Sequence, residues 1–349
     1  MATEPATETT LQGPAAWEEQ AEQERAHGLG PWKLGFRRLR RNKVALLFGF
    51  VFILLVLVCA AAPLWANSVA KTGPAENHLT DTIRVGGETV NVVGLDGVPI
   101  GPQYLQADGR FFLGADANGR DIMVRLLYGG RNSLLIGITA ALITTLLSIV
   151  LGVVSGYFRG PVDAVIRTLL DIMWSFPVII LGTALGVALA LGGLQILFVN
   201  IAGDSLIIPI FIIGLVYVPY MARPVRGQVL SLREKEFVEA ARSQGAGPIR
   251  IMFTEVMPNL ASTMLVFFTL LIANAVLLEA ALSFLGAGVQ PPNPSWGTMI
   301  ASGLSTLIGA PHQTFAPGIM LVLTVLSLNI FGEGVRDALD PRAKIKLEN

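Results

Sequence analysis

Six long runs of apolar residues stand out in the pattern of hydrophobic and polar positions along the chain. The first, residues 44–66, has no charged side chain and exceeds the roughly 20 helical residues that cross a bilayer core about 30 Å thick. The other runs contain small residues that let helices pack closely, and they occupy residues 132–156, 165–192, 203–222, 260–285 and 314–335. The pattern predicts an all-α polytopic membrane protein with six transmembrane helices.

Basic residues are distributed unevenly among the segments that connect these runs. Six Lys or Arg residues lie within 33–43 and six more within 223–250, whereas the short segments 193–202 and 286–313 contain none. Because basic residues concentrate on the cytoplasmic side of membrane proteins, we expect both termini and the loop 223–258 to be cytoplasmic. The expected location is the cytoplasmic (inner) cell membrane.

The polar segments outside the runs differ in character. Residues 67–131 predict a small extracytoplasmic insertion of irregular and β structure, because Arg84–Val90 resembles a hairpin and further Asp-Gly turn signals follow it. Residues 1–43 predict a cytoplasmic tail with a basic end and one short helix near Trp17–Arg25. The core is then residues 132–335, and residues 336–349 form a second cytoplasmic tail.

Composition supports a membrane protein and gives little sign of enzyme chemistry. Hydrophobic residues make up 52% of the chain and charged residues only 14%, with a mean hydropathy of +0.61, whereas about a quarter of a soluble domain is charged. The single cysteine, Cys59, excludes a disulfide framework and is expected to face lipid or to be packed. The three histidines show no metal-ligand or catalytic spacing, and no phosphate-binding Gly-x-x-x-x-Gly-Lys-Ser/Thr loop occurs.

A charged segment between the fourth and fifth runs has the features of an exposed helix. Ser231–Glu234 fits a capping box, so we predict a helix of about four turns that starts at Ser231 and stops at Gly245. A second short helix is predicted to start at Pro248.

The surface of that helix suits contact with another protein. Ala240 and Ala241 leave a flat surface beside Phe237, and Glu236 and Glu239 supply charge. Two interpretations remain open from the residues alone: a docking helix for a partner, or an amphipathic connector lying on the membrane.

Four segments in order along the chain resemble known permease motifs. Glu239-Ala240-Ala241, followed by Gly245 and by Met257-Pro258, resembles the EAA motif of ABC import permeases. The other segments resemble the oligopeptide and dipeptide branch of that family: 114–129, 282–297 and 336–342. Departures from the usual pattern occur at Ala115, Glu255 and Asn293.

The resemblance implies a type I ABC importer permease fold and a transport function. The chain would be the transmembrane permease subunit of an ATP-driven importer for dipeptides or oligopeptides, with nickel or another small solute as the alternative within the family. The residues implied to couple the permease to its ATPase are Phe237, Glu239, Ala240, Ala241, Gly245 and Pro258.

The same resemblance implies several partners. These are a second related permease chain forming a heterodimer, two cytoplasmic ABC ATPase subunits and an extracytoplasmic substrate-binding protein, with membrane lipid around the spans and no nucleic acid. ATP and Mg²⁺ would bind to the ATPase subunits, so this chain is expected to be a non-catalytic subunit without a metal or cofactor. A secondary transporter driven by an ion gradient is the alternative from another class, but it leaves the loop 223–258 without a role.

Polar groups inside the runs are candidates for the translocation pathway. Glu279 and Asn274 lie in the fifth run and Asp171 in the third, and such groups are costly in a membrane unless they have a function. Two interpretations of Glu279 are open, one facing the pathway and one pairing helices within the bundle. Near Asp171, Pro177 predicts a kink in the third span.

Overall fold

The computed structural model of the chain describes residues 31–85, 88–94, 97–104, 109–196 and 199–339. The short helix predicted near Trp17–Arg25 lies outside these residues, as does the C-terminal segment that follows Leu339.

The first predicted span is confirmed as a helix, but it is shorter than expected. Helix α1 (Pro31–Arg41) precedes α2 (Lys43–Ala60), and the side chain of Asn42 between them caps α2 by accepting a hydrogen bond from Ala45 N at 3.0 Å. The chain then turns at Ala61 into the short α3 (Ala62–Trp65) and one π-helical turn (Ala66–Ala70). The predicted end at residue 66 was therefore wrong.

The insertion after the first span contains the predicted hairpin. Strands β1 (Thr82–Val85) and β2 (Glu88–Asn91) pair antiparallel, with Thr82 opposite Asn91. A small hydrophobic cluster of its own supports the hairpin, and its buried members are Ile83, Val92, Phe111 and Ala115.

The insertion ends earlier than the sequence suggested. Helix α4 (Ile122–Phe158) begins at Ile122 rather than at residue 132, because Asp121 caps it by accepting a hydrogen bond from Val124 N at 3.1 Å. The other oxygen of Asp121 accepts from Phe111 N at 2.7 Å, which ties the helix start to the cluster of the insertion.

The third predicted span is broken rather than continuous. Helices α5 (Gly160–Trp174) and α6 (Val178–Gly192) meet at an angle of 85° around Pro177. Proline lacks an N–H and disfavours helical geometry in the residue before it, so the helix stops there. The predicted kink is a complete change of direction, so residues 165–192 form two helices rather than one continuous helix.

The fourth span is also divided, and a hairpin precedes it. Strands β3 (Leu194–Ile196) and β4 (Val199–Ile201) pair antiparallel in a segment for which no strand was predicted. Helices α7 (Ile207–Val216) and α8 (Val218–Leu232) then follow with a bend of 40°. Because α8 continues to Leu232, the predicted helix start at Ser231 was wrong.

The rest of the chain returns through the bundle twice. Helix α9 (Glu236–Ser243) is followed by α10 (Pro248–Ile251), a π-helical turn (Met252–Val256) and α11 (Met257–Phe284). Beyond α11 come α12 (Trp296–Gly303), a 3₁₀ turn (Leu304–Thr306) and α13 (His312–Leu339). Helix α12 lies in a segment that was expected to be a short loop.

Close helix packing holds the centre of the bundle together. Helix α4 packs mainly against α8 and α11, and α13 packs against α2 and α11. Gly152 and Gly156 of α4, four residues apart, approach Val225 and Val229 of α8 so closely that an added methyl group would lie 2.6 Å and 2.8 Å from those side chains. This small-residue spacing is a common means of helix association in membranes.

The described helices are compatible with the six predicted spans. Among the described residues, four helical segments are long and apolar enough to cross a membrane, and six spans result if each bent pair counts as one. The bundle has two ends. The end that we call the basic end contains α1, the α4–α5 junction and the α8–α11 connection. The opposite end contains the insertion, the β3–β4 hairpin and α12. Contacts at the opposite end include the hydrogen bond from Gln313 Nε2 to Ala115 O at 3.1 Å.

Candidate functional site

Helix α9 lies at the basic end and is held by one buried side chain. Val238 is fully buried in the main hydrophobic core, and Ala241, one turn further on, packs against that core. The opposite side of the helix is exposed and carries Glu236, Glu239, Ala240 and Ser243, which follow a spacing of three or four residues. We call these four residues the α9 surface.

Charge and capping fix both ends of α9. Glu236 and Glu239 lie in the first turn, where carboxylates interact favourably with the helix dipole. At the other end Gly245 has a φ of +82°, and its N–H donates to Arg242 O, while Ala246 N–H donates to Ala241 O, both at 3.0 Å. This Schellman-type ending confirms the predicted stop at Gly245, although α9 has two turns rather than four.

The connection between α8 and α9 is tied to the junction of α4 and α5. Arg159 donates to Glu234 at 2.6 Å, and Arg233 donates to the carbonyl oxygen of Tyr157 at the same distance. The hydrogen bond from Arg159 lowers the pKa of Glu234. These contacts link the α9 segment to the basic ends of the spans.

Further ion pairs join α5 to α8. Arg226 donates from two nitrogens to both oxygens of Asp163, at 2.5 Å and 2.6 Å. Arg223 donates to Asp171 at 2.7 Å and also lies over the ring of Trp174. The predicted pathway residue Asp171 is therefore engaged in a half-exposed ion pair with α8.

The remaining residues of the predicted coupling set are Phe237, within α9, and Pro258, in α11. Phe237 is 39% exposed, and Pro258 is exposed at the start of α11. Glu255 accepts a hydrogen bond from Thr254 Oγ1 at 3.1 Å within the π-helical turn, and nothing in the structure explains why glutamate stands there.

Glu279 lies in a buried polar cluster. Its side chain is fully buried and accepts a hydrogen bond from Ser283 Oγ at 2.6 Å. The hydroxyl groups of Ser133 and Ser295, also fully buried, lie beside the carboxylate, while Oε2 has no hydrogen-bond partner among the described residues. We call Glu279 and these three serines the serine–glutamate cluster.

The serine–glutamate cluster also fixes the backbone around it. Ser133 accepts from Trp296 N at 3.2 Å and Ser283 accepts from Val289 N at 3.0 Å. The indole of Trp296, which is fully buried, donates to Leu126 O at 3.1 Å. The cluster thus joins α4, α11 and α12, a placement that favours pairing within the bundle over exposure to a pathway.

The structure does not bring the predicted pathway residues together. Asn274 is half-buried and donates from its amide to Leu270 O of its own helix at 2.9 Å. Its partners differ from those of Glu279 and of Asp171. Sequence reasoning missed Ser133 and Ser295, although Ser295 falls inside the permease-like segment 282–297.

Side chains that could bind a metal are scattered in the part of the chain that is described. No group of three or more His, Cys, Asp or Glu side chains is arranged there to hold a metal ion. Cys59 is packed rather than lipid-facing, being fully buried.

This helical bundle, with two bent spans and a short exposed helix between spans, has a fold that occurs in ABC transporters. Its fold is shared with a chain of the MetNI methionine ABC transporter solved in inward-facing conformations, with a TM-score of 0.51 and 19% identity. That match covers 62% of this chain and 97% of the other.

Sequence comparison gives the family. Residues 148–345 match the family described as "Binding-protein-dependent transport system inner membrane component", and residues 30–81 match "N-terminal TM domain of oligopeptide transport permease C". The chain belongs to this family of binding-protein-dependent transport permeases.

Several curated relatives are similar over almost their whole length. The chain is 36% identical to the di/tripeptide transport system permease protein DppC of Pseudomonas aeruginosa, over 90% of this chain and 93% of that one. It is 34% identical to the glutathione transport system permease protein GsiD of Pectobacterium atrosepticum, over 90% and 92%. It is also 34% identical to the oligopeptide transport system permease protein OppC of Bacillus subtilis, over 90% and 91%.

Proposed function

We propose that the chain is one permease subunit of an ATP-driven importer for short peptides. The relatives described above are named for dipeptides, tripeptides, oligopeptides and glutathione, which all contain amide-linked amino acids. That agreement favours peptides over the nickel alternative.

The proposed orientation puts the basic end in the cytoplasm. Basic residues crowd α1 and the α8–α9 region, whereas 193–202 and 286–313 have none. Both termini and the α9 surface then face the cytoplasm, and the insertion faces outward, where a substrate-binding protein would dock. The chain is a non-catalytic subunit in this proposal, because the phosphate-binding loop is absent from its sequence.

The observation that carries this proposal is α9 itself. A two-turn helix whose only fully buried side chain is Val238 presents its other faces to a partner. Two ATPase subunits, which bind ATP and Mg²⁺, would contact α9 here and on a second related permease chain. Glu239 and Ala240 would form the contact, and Gly245 would set its shape.

The fold offers a direct route from α9 to the opposite end. Helix α10, the π-helical turn and α11 run on as one helical segment, Pro248–Phe284, of 37 residues. A helix of this length extends for roughly 50 Å, so a displacement of α9 would be carried as a rigid movement toward the serine–glutamate cluster. The ion pairs of Asp163 and Asp171 with α8 would carry the same movement to α5.

Replacing Ala240 with Trp tests the contact. The bulky indole would stand on the exposed α9 surface without disturbing Val238, so we expect the permease to fold but to lose its ATPase subunits. The measurements are co-purification of the ATPase chains and uptake of a radiolabelled dipeptide by proteoliposomes that contain the complete transporter and its binding protein. We expect both to fall at least tenfold, in keeping with the loss of a central interface contact.

The matched control is Ser231→Trp, an exposed position at the end of α8. It should leave ATPase association and uptake unchanged. Normal association in the Ala240→Trp protein would refute the coupling role of α9. Uptake of nickel complexes but not of dipeptides would refute the peptide substrate and leave the coupling role intact.

A further inference from the structure

Two apolar cavities lie on either side of α1. The first, about 460 Å³, lies between α1, α4 and α11 and is open to the surface, with Trp32, Leu142 and Ala261 among its lining residues. The second, about 300 Å³, lies between α1, α11 and α13 and is lined by residues that include Trp32, Phe36 and Phe331. Both volumes fall in the range of roughly 300–1,000 Å³ that is usual for ligand sites.

Helix α1 has one apolar and one basic face. The residues that line the cavities follow a spacing of three or four along the helix, and they are Trp32, Gly35, Phe36 and Leu39. Exposed basic residues follow the same spacing on another face, and they are Lys33, Arg37 and Arg40. Such a helix lies in the interfacial plane of a membrane, with its apolar face toward the acyl chains.

The cavity walls offer almost no hydrogen bonds to a ligand. Besides the Trp32 indole, the only polar side chains among the lining residues are Thr145 and Thr269. Each hydroxyl already donates to a carbonyl oxygen of its own helix, Thr145 to Ala141 O at 2.7 Å and Thr269 to Val266 O at 2.8 Å. A molecule that fills these cavities therefore has to be hydrocarbon along most of its length.

The basic residues of α1 indicate which class of hydrocarbon-rich ligand would bind beside it. The basic face of α1 lies next to the apolar face that lines both cavities, and in the proposed orientation α1 lies at the cytoplasmic end of the spans. Anionic lipids in the cytoplasmic leaflet attract clustered Lys and Arg residues, and basic pockets between membrane helices bind their phosphates.

We propose that the cavities beside α1 bind the acyl chains of an anionic glycerophospholipid, whose phosphate is held by Lys33 and Arg40. The lipid fastens α1 to α4, α11 and α13 at the basic end. This site is separate from the α9 surface and from any peptide pathway. The lipid proposal rests on the proposed orientation in one respect, because it requires the basic end to face the leaflet that contains anionic lipids.

Fluorescence quenching by brominated lipids tests the site in the full-length chain. The protein is reconstituted into phosphatidylcholine vesicles that contain increasing fractions of brominated phosphatidylglycerol. The chain has five tryptophans, so the fluorescence of the Trp32→Phe variant is subtracted from that of the wild-type protein to isolate the signal of Trp32. We expect Trp32 to be quenched at a low fraction of the anionic lipid, and brominated phosphatidylcholine at the same fraction to quench it much less.

Two variants separate the headgroup from the cavity. Replacing both Lys33 and Arg40 with Gln should raise the lipid fraction for half-maximal quenching by roughly tenfold or more, since each basic residue contributes on the order of a fivefold preference. Because both side chains are exposed, this variant should fold normally. Ala261→Phe, which fills the larger cavity, should weaken quenching, while Ala60→Phe on the exposed end of α2 should not.

Several outcomes would overturn the proposal. Equal quenching by the anionic and zwitterionic lipids would mean that α1 contacts only bulk lipid. An unchanged response in the double Gln variant would remove the phosphate site. The absence of quenching by either lipid would show that protein, from this chain or a partner, closes the cavities.

Discussion

A carboxyl group inside a membrane bundle is tolerated only where polar neighbours replace water, and Glu279 has three serine hydroxyls around it. Removing its side chain would leave Ser133, Ser283 and Ser295 buried with fewer partners. We expect Glu279→Ala to destabilise the protein by roughly 1–3 kcal/mol, the usual cost of unsatisfied buried polar groups. Thermal unfolding of the detergent-solubilised chain measures this loss, and Glu279→Gln should lose less because an amide can still bond to the hydroxyls.

Glu333 supplies the control, because it lies in α13 and is exposed. Glu333→Ala should unfold at nearly the wild-type temperature. If Glu279→Ala were equally stable but transported no substrate, the pathway interpretation of Glu279 would be correct after all.

Sequence alone identified Glu279 as unusual but could not choose between its two interpretations. The deciding partners, Ser133 and Ser295, come from α4 and from the residue that precedes α12, more than a hundred residues apart in the chain. Hydropathy ranks residues by polarity and does not show which residues are in contact in the folded protein. The same limit applies to Asp171, whose partner Arg223 lies in α8.

At the scale of single elements, the C-terminal end of α9 depends on the backbone of one residue. Gly245 has a left-handed φ of +82°, and a methyl group added there would meet no atom within 4 Å. Gly245→Ala therefore introduces conformational strain without a clash, costing about 1–2 kcal/mol. We expect α9 to fray, with amide hydrogen exchange at Gln244 and Ala246 faster by roughly 5–30-fold.

Gly247 is the matched control for this change. It also has open space around its Cα, but its φ is −71°, a conformation that alanine adopts readily. Gly247→Ala should leave exchange in α9 unchanged. Equal exchange rates in the Gly245→Ala and wild-type proteins would contradict the role assigned to this helix end.

The elements that could be predicted are those determined by residues close together in the sequence. The stop at Gly245, the start of α10 at Pro248 and the β1–β2 hairpin depend on residues next to each other in the chain, and all three were predicted. The start proposed at Ser231 was wrong because Val229 and its neighbours pack against α4, which extends α8 past the capping signal. In such a case tertiary packing overrides the preference of a local sequence motif.

At the scale of the whole molecule, the presence of several apolar spans was predictable but their directions were not. Apolar length is a property of the sequence, and it gave six spans. The 85° turn at Pro177 depends on where α5 and α6 find partners: Asp163 of α5 pairs with Arg226 of α8, while Gly182 of α6 approaches Leu282 of α11. These contacts are between distant parts of the chain, so a window of hydropathy values does not contain them.

The sidedness of the molecule can be tested with cysteine labelling, because its one native cysteine, Cys59, is fully buried and should not react. A new cysteine at Glu239 would sit on the α9 surface, and one at Glu88 on the exposed strand β2. In intact cells a membrane-impermeant maleimide should label Glu88→Cys and spare Glu239→Cys. Inverted membrane vesicles should show the opposite result.

Unmodified protein in both preparations gives the background, and permeabilised membranes should allow both new cysteines to react. Labelling of Glu239→Cys in intact cells would put the α9 surface outside, where no ATPase could reach it, and the proposed coupling would fail. Labelling of both positions from one side would instead require an even number of spans between β2 and α9. The two residues are separated by α4, the bent pair α5–α6 and the bent pair α7–α8, which are three crossings if each pair counts as one. Opposite labelling is therefore the result that the bundle requires, and labelling from one side would mean that one bent pair does not cross the membrane.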